Sequence, residues 1–521
     1  MFNWLKVTFS GWKLAALIFF VGLLALGLII YRDYGLGWDE QQQYILGISN
    51  YHYVLGINQD LLTFSDRYYG PVFELFLTIL TISLPRDAMI YTRHLWIFLS
   101  FAVGVFIFFL LIRKIWHKDW LALAGSLALV ISPRIFADAF YNSKDIPCMV
   151  GFIFAFYTLI RYLDHPTWKN LLLHAFASAL LIAIRITGLL VPGLTIVMAV
   201  LILLFNRHPS SRQVAVFLAQ LAVYIIFGFG LVVLFMPILW HDPFGGIVTS
   251  FQTMSKYPAL ATMVFKGFEI NSDGLPLNYI PTWIAITTPF LYLAAFLIGL
   301  VNSVVNLFLA PGLLVKRDKR NLLLLLAWFF IPLLIVILLK STLYDGWRQM
   351  YFVYPALILI GLQGLLGILK IIGRLPRPAI GKLVVAGLLL LGIAAPFSFM
   401  VRNHPYQNVY FNRLAGENLA QAKNLYEMDY WGLSAKKALD YILSTDPAPT
   451  IVINGDGDPP KLNSYLLPPD QAKRLQFTDE IGEANYFIGN YRNHPQDYPY
   501  PNEVFNVTVD GAKLVSVFRL R

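Results

Sequence analysis

The sequence is short of cysteine and of charge. Cys148 is its only cysteine, which excludes an intrachain disulfide and any cysteine-based metal cluster. It reads as a plain apolar residue. Charged residues make up 13% of the 521, against about 25% in a soluble globular chain, and this excludes an ordinary soluble protein. The nine histidines show no metal-ligand spacing, and no repeat or low-complexity segment stands out. The alternating pattern of a membrane β-barrel is absent as well.

Apolar sequence is abundant instead. Hydrophobic residues reach 57% and mean hydropathy is +0.61. Apolar runs occur near 14–31, 92–112, 120–134, 146–163, 170–184, 186–205, 213–236, 281–308, 321–340, 350–372 and 380–399. A bilayer asks for about 17–25 such residues per crossing, and, barrels aside, only helices cross lipid with every backbone group satisfied. The expected fold is therefore an all-α polytopic membrane protein with about 11 transmembrane helices. The stretch 170–205, interrupted by Arg185, reads as two helices or as one broken segment. The first run is longer than a signal-peptide core and no A-x-A-like site precedes Tyr31, so it reads as a retained helix.

The positive charge is uneven. With the N-terminus in the cytoplasm, the inner segments hold 17 Lys/Arg, including Lys6, Lys118, Arg207 and Lys319, against only Asp119, Asp164 and Asp318. The positive-inside rule favours that orientation, and an odd helix count puts the C-terminus outside. The pI of 9.3 thus reports topology rather than nucleic-acid binding. Residues 400–521 hold 12 basic and 14 acidic residues and read as a water-soluble unit. A helical stretch is expected near 417–443, and strands at Ile451–Ile453 and Tyr486–Ile488. Asp510-Gly511 between Val504–Val509 and Leu514–Phe518 is a strong hairpin signal. The predicted organisation is a membrane domain over 1–399, with long outer loops 32–91 and 237–280, followed by a small outer α/β domain over 400–521. Within the first loop, the apolar stretch 71–84 is too short to span and is expected to lie at the interface.

Charges at membrane depth or at a helix mouth are costly and so tend to be functional. Several converge here on one side. Asp39 and Glu40 follow the first helix; Asp138, Lys144 and Asp145 lie around the outer ends of the third and fourth; Arg185 interrupts an apolar run; Arg348 precedes the tenth. Headgroup anchoring or structural ion pairing would explain any one of them, but explains the whole set less well. Group transfer to a hydroxyl needs a carboxylate base near the nucleophile, which Asp39 or Asp138 could supply. A phosphate leaving group needs fixed cations, which Arg348, Lys144 and Arg185 could supply. Outside the cell an activated donor has to arrive attached to a lipid.

The motifs Gly-Trp-Asp39-Glu40, Pro-Arg-Ile-Phe-Ala-Asp138 and Asn-Ser-Lys144-Asp145-Ile-Pro resemble the C-type (GT-C) integral membrane glycosyltransferases, in particular the protein O-mannosyltransferases and the lipid A aminoarabinose transferase. The resemblance spans roughly residues 14–400, and its two acidic motifs are its specific part. It implies the GT-C fold and an inverting transferase that moves a sugar from a polyprenyl-phosphate carrier to a hydroxyl of a protein, lipid or glycan acceptor. It implies a multi-pass protein of a bacterial inner or plasma membrane. In it Asp39 matches the catalytic base, Glu40 its acidic neighbour, and Asp138 the second acidic motif, near the acceptor or orienting the site. Arg348 and Lys144 are implied to hold the lipid phosphate. Where relatives carry His-Pro-Pro or Lys-Pro-Pro late in the first loop, this chain has Arg67-Tyr-Tyr-Gly-Pro71, which leaves Arg67 as the substitute for that lysine. A transporter or flippase of a lipid-linked or polar substrate is the alternative; against it stand the lack of a repeat and the clustering of acids at one face rather than at the midplane. No metal ligands are expected at this cluster. Asp456-Gly457-Asp458 reads as a turn, with a divalent-cation site as its alternative.

Overall fold

A computed structural model describes residues 11–205, 210–258, 261–309 and 316–521. Lys6 and Arg207, counted above as inner basic residues, lie outside the described residues.

Each of the eleven apolar runs is mainly helical, but 120–134 is interrupted at Ile131-Ser132 and 281–308 at Thr288-Pro289, so the described residues hold fewer spans than the eleven expected. Nine helices among them are long and apolar enough to cross a bilayer: Gly11–Ile30, Arg86–Trp116, Asp145–Asp164, Ile186–Leu204, Ser211–Phe235, Phe290–Phe308, Arg317–Leu339, Arg348–Ile372 and Pro378–Arg402. A tenth crossing is made if Asp119–Val130 and Pro133–Tyr141, bent by 70° against each other, count as one. The bend falls at Ser132-Pro133, where the proline ring holds the preceding residue out of the helical region and Ser132 is extended. The run at 170–184 is the 17-residue helix Trp168–Ile184, about 25 Å long at the α-helical rise, and Arg185 separates it from the next helix in extended conformation. The protein is an integral membrane protein. The apolar stretch after Pro71 forms the short helix Val72–Thr81.

Burial separates centre from rim. The most apolar parts of Asp145–Asp164 and Arg348–Ile372 are 72% buried within the protein, those of Gly11–Ile30, Ser211–Phe235 and Pro378–Arg402 only 17%. Aromatic stacking joins the central pair, with Phe152 4.2 Å from Phe352, and ties Asp145–Asp164 to Arg317–Leu339, with Phe156 4.0 Å from Trp328, between ring centres. Small residues bring backbones together where lipid offers no hydrophobic drive for association. A Cβ on Gly299 would sit 1.8 Å from the carbonyl oxygen of Ile360, so Phe290–Phe308 and the Tyr354–Ile372 helix touch backbone to backbone.

Charged side chains collect at the two ends of the bundle. At one end Asp164 meets Arg320 at 2.5 Å, Lys114 at 2.9 Å and Arg317 at 3.4 Å, and Arg113 meets Asp119 at 2.6 Å. At the other end lie Asp39, Lys144, Asp145, Arg185 and Arg348, together with the C-terminal sheet.

Strands β1 (Thr262–Phe265) and β2 (Phe268–Asn271) form an antiparallel hairpin in the long loop 237–280. The C-terminal sheet contains β3 (Ile451–Gly455), β4 (Leu475–Phe477), β5 (Tyr486–Asn490), β6 (Glu503–Val509) and β7 (Ala512–Arg519) in the order β4-β3-β5-β7-β6. β3 is parallel to β4 and β5; β7 is antiparallel to β5 and β6. The turn between β6 and β7 is Asp510-Gly511, both at positive φ (42° and 86°), as a two-residue hairpin requires. The helix Ala435–Thr445 lays Ala438, Leu439 and Ile442 against Ile451, Ile453, Ile488 and Val517, a core separate from that of the bundle.

The single helix expected near 417–443 is instead two, Leu419–Leu425 and Ala435–Thr445. Between them Asp429 and Gly432 take positive φ, and the Asp429 carboxylate accepts the N–H groups of Leu433 and Ser434 at 3.2 and 3.0 Å. A short acidic side chain that captures backbone donors favours a turn and a new helix start over continuation. The interruption places Tyr430 and Trp431 in the bundle core rather than in the sheet core.

Candidate active site

Asp39 stands in a turn built from both parts of the chain. Leu36 N–H donates to Asn463 Oδ1 at 2.9 Å, and Trp38 N–H to the Trp431 carbonyl at 3.1 Å. Glu40 opens the helix Glu40–Val54. Its carboxylate accepts Gly37 N–H at 2.7 Å and lies 3.0 Å from Nε2 of the fully buried His94. Glu40 therefore ties down the turn, while the neighbouring carboxylate of Asp39 keeps 23% of its side chain exposed.

Two cations share Asp39 Oδ2: Lys144 Nζ at 3.1 Å and Arg348 Nη2 at 2.9 Å. Burial alone would raise the Asp39 pKa, but the two cations outweigh it and hold the carboxyl well below the usual carboxylate range. Burial likewise opposes the charge on Lys144, and Asp39 more than restores it, so the ammonium titrates above its ordinary value. Lys144 and Asp145 are aimed by Asn142, whose Oδ1 accepts both their backbone N–H groups, at 3.2 and 2.9 Å. Such a side-chain cap is what Asn does at helix starts.

Arg348 is completely buried and bridges three carboxylates. Nη2 reaches Asp39 at 2.9 Å and Asp345 at 3.0 Å, and Nη1 reaches Asp145 at 3.2 Å. Its guanidinium lies 4.6 Å from the ring centre of Trp431 and 5.0 Å from that of Tyr344, a stacking that a planar guanidinium can exploit and an ammonium cannot. Arg185 closes the ring with its Nη1 2.7 Å from Asp145 Oδ1.

Of the residues singled out from sequence, Asp39, Lys144, Asp145, Arg185 and Arg348 form one connected cluster. Asp138 lies beneath it. It is fully buried and accepts from Tyr141 Oη at 2.7 Å and Asn142 Nδ2 at 3.1 Å, so it orients Asn142 and faces no open space. Arg67 is not part of the cluster. Its guanidinium donates to the Phe64 carbonyl at 2.9 Å and stacks on Tyr68, and the residue that approaches Lys144 from this loop is Tyr69, at 5.0 Å. Asp456 of the Asp-Gly-Asp turn accepts from Tyr498 Oη. No group of three or more His, Cys, Asp or Glu side chains among the described residues is placed to hold a metal ion.

Sequence reasoning passed over four members of the site. Asp345 was visible only as the neighbour of Arg348. Trp431, within the motif Asp429-Tyr-Trp431-Gly432, comes from the C-terminal 120 residues, as do Glu427 and Arg492, which no local pattern sets apart. Glu427 Oε1 accepts Gly346 N–H at 3.0 Å, and burial, aided by the Asp345 carboxylate, raises its pKa above the ordinary carboxylate value.

No family model matches the sequence, and no curated protein matches it. Solved structures similar to this chain include two of one protein. ArnT from Cupriavidus metallidurans bound to undecaprenyl phosphate shares 14% identity over 96% of this chain and 98% of its own, with a TM-score of 0.49. The same ArnT in the apo state shares 13% identity over the same fractions, with a TM-score of 0.48.

Beside the cluster a groove of about 120 Å³ runs from Arg185, Tyr69 and Tyr344 along Phe251, Met254, Ile335 and Leu339. One end is cationic, and the walls beyond it are mainly apolar.

Proposed function

We propose that the protein is an integral membrane glycosyltransferase that takes a sugar from a polyprenyl-phosphate carrier and passes it to an acceptor hydroxyl at the outer membrane face. One observation carries this reading: the cluster in which fixed cations surround an ionised, partly exposed carboxylate adjoins, through Arg185, a mainly apolar groove. The groove suits an isoprenoid chain, and Arg185, Lys144 and Arg348 suit its phosphate.

The resting ion pairs support a sequence of events. In the resting site Asp39 occupies Lys144 and Arg348, and a carboxylate held so low is ionised but a weak base. A donor phosphate entering from the groove competes for both cations, and Asp39 recovers proton affinity as it loses them. The acceptor oxygen then attacks the anomeric carbon while its proton passes to Asp39, and the bond from that carbon to the phosphate oxygen breaks. The configuration inverts because attack and departure lie on opposite faces. The phosphate leaves with its charge met by cations already in place, so no reorganisation is needed at the moment of reaction. Asp138 acts from below, through Asn142, on the Lys144-Asp145 turn.

Purified protein incubated with a panel of polyprenyl-phosphate sugars should release polyprenyl phosphate from at least one, faster with acceptor than without. Failure of every donor to be bound or cleaved would remove the reading. Orientation belongs to the same proposal: the site and the sheet lie outside, and the Asp164 cluster faces the cytoplasm.

A further inference from the structure

The end of the bundle that carries the cluster is covered by the carboxyl ends of the parallel strands β3 and β5, the edge at which open α/β sheets usually present their functional residues. The chain leaving β5 at Asn490 turns at once: Asn490 Oδ1 accepts Arg492 N–H at 2.9 Å and directs Arg492 towards the membrane domain. The guanidinium lies 5.3 Å from the ring centre of Trp38, and its Nη2 donates to Asp345 Oδ1. The other oxygen of Asp345 accepts from Arg348 Nη2, the same nitrogen that holds Asp39. A chain of contacts therefore runs Asp39, Arg348, Asp345, Arg492, from the first outer loop to the C-terminal sheet.

The balance of charge gives this chain a purpose. Four cations (Lys144, Arg185, Arg348 and Arg492) face three carboxylates (Asp39, Asp145 and Asp345) in the ion-paired network. Removing Arg492 leaves three against three, and it leaves Asp345 to draw on Arg348 alone. The Nε of Arg492 is buried and has no hydrogen-bond partner, so the guanidinium is held by the ion pair to Asp345 and by the Trp38 ring. Ion pairing of this kind between separate parts of a chain is weak evidence for stability; here it leaves the site with an excess positive charge.

We propose that the C-terminal domain is part of the active site, and that Arg492 is a positioning residue that engages Asp345 and so leaves Arg348 available for the anionic phosphate of the donor. This rests on the reading of the cluster as a lipid-phosphate site. The sheet is then no accessory module, and movement of it away from the bundle would switch off the site by leaving Asp345 to draw on Arg348 alone. The interface is suited to hold it in place, since Asn463 also donates to the Leu36 carbonyl at 3.2 Å and Glu427 caps Gly346.

The test is the affinity of the purified full-length protein for undecaprenyl phosphate at fixed pH and salt. Arg492→Ala should bind about tenfold more weakly, the order expected for one full charge a few ångströms beyond the contact shell. Adding Asp345→Asn to that variant should restore affinity to within about threefold of wild type, because it removes the competitor for Arg348. A merely structural Arg492 predicts no such rescue. Asp345→Asn alone should bind more tightly than wild type. Asn suits the positive φ of 57° at this position, so this variant keeps the test open if Arg492→Ala does not fold. Wild-type affinity in Arg492→Ala, absence of rescue in a folded double variant, or unchanged affinity in Asp345→Asn would each overturn the inference. If wild type itself binds no polyprenyl phosphate, the functional reading falls first.

Discussion

Replacing Asp39 by Asn should uncouple affinity from rate in opposite directions. The amide keeps the shape of the side chain, so the turn held by Glu40 and Trp431 stays as it is. What is lost is the charge that engages Lys144 at 3.1 Å and Arg348 at 2.9 Å. In the resting protein that charge competes with the donor phosphate. A unit charge pair at such range is worth about 4 kcal/mol at a surface-like effective dielectric. With Asp39 partly exposed, and with Asp145 and Asp345 still drawing on Arg348, roughly 1.4 kcal/mol of competition is a fair net figure, which corresponds to a factor of about ten. Asp39→Asn should therefore bind undecaprenyl phosphate about tenfold more tightly. Its transfer rate should fall about 100- to 10,000-fold, the usual loss when a general base is removed. Binding can be followed with a fluorescent polyprenyl phosphate and transfer by release of the labelled sugar. A variant that transfers within a few-fold of wild type would remove Asp39 from the base role. One that loses transfer and also binds more weakly would show that Asp39 holds the fold of the site instead of competing with phosphate.

The pH dependence should carry the same signature: Asp39 titrates well below the ordinary range in the free protein and is released by donor phosphate, so the acid limb of kcat should lie at higher pH than that of kcat/KM. Coincident limbs would contradict the release. Glu427 has a raised pKa, so its contribution to stability is present below the unfolded carboxyl pKa and is lost as pH rises through the folded value. Wild type should thus lose Tm on going from pH 5 to pH 8 relative to Glu427→Gln, measured by melting in detergent; a constant difference between them would mean that Glu427 is ionised throughout. Arg348→Lys should recover only part of the donor affinity lost in Arg348→Ala, because the ammonium forfeits the fork and the stacking on Trp431; full recovery would reduce Arg348 to a point charge. For topology, a cysteine placed at Lys118 should be labelled by an impermeant reagent only from the cytoplasmic side and one at Asp273 only from outside, with buried Cys148 silent in both; outside labelling at Lys118 would reverse the orientation and displace the site with it.

The membrane itself made much of this protein legible. Lipid tolerates few alternatives to helix, so the apolar runs announce their own structure, and Pro133 and Arg185 mark where helices bend or break. The same intolerance of charge made Asp39, Lys144, Asp145, Arg185 and Arg348 conspicuous, and they do meet at one end of the bundle. The Asp510-Gly511 hairpin was equally local, since two residues at positive φ suffice to define it. What the sequence could not convey is which loops meet. Arg67 carries the right charge in a plausible loop, yet the packing of that loop turns it onto its own backbone and offers Tyr69 instead. Asp138 and Glu40 are acidic neighbours of the site that are consumed in holding Asn142 and Gly37. Arg492 lies 147 positions from its partner Asp345, in a stretch with no pattern to mark it. Only the docking of the sheet against the bundle brings the two together, because a contact between loops of separate elements depends on the packing of every element beneath them and leaves no trace in the local spacing of either one.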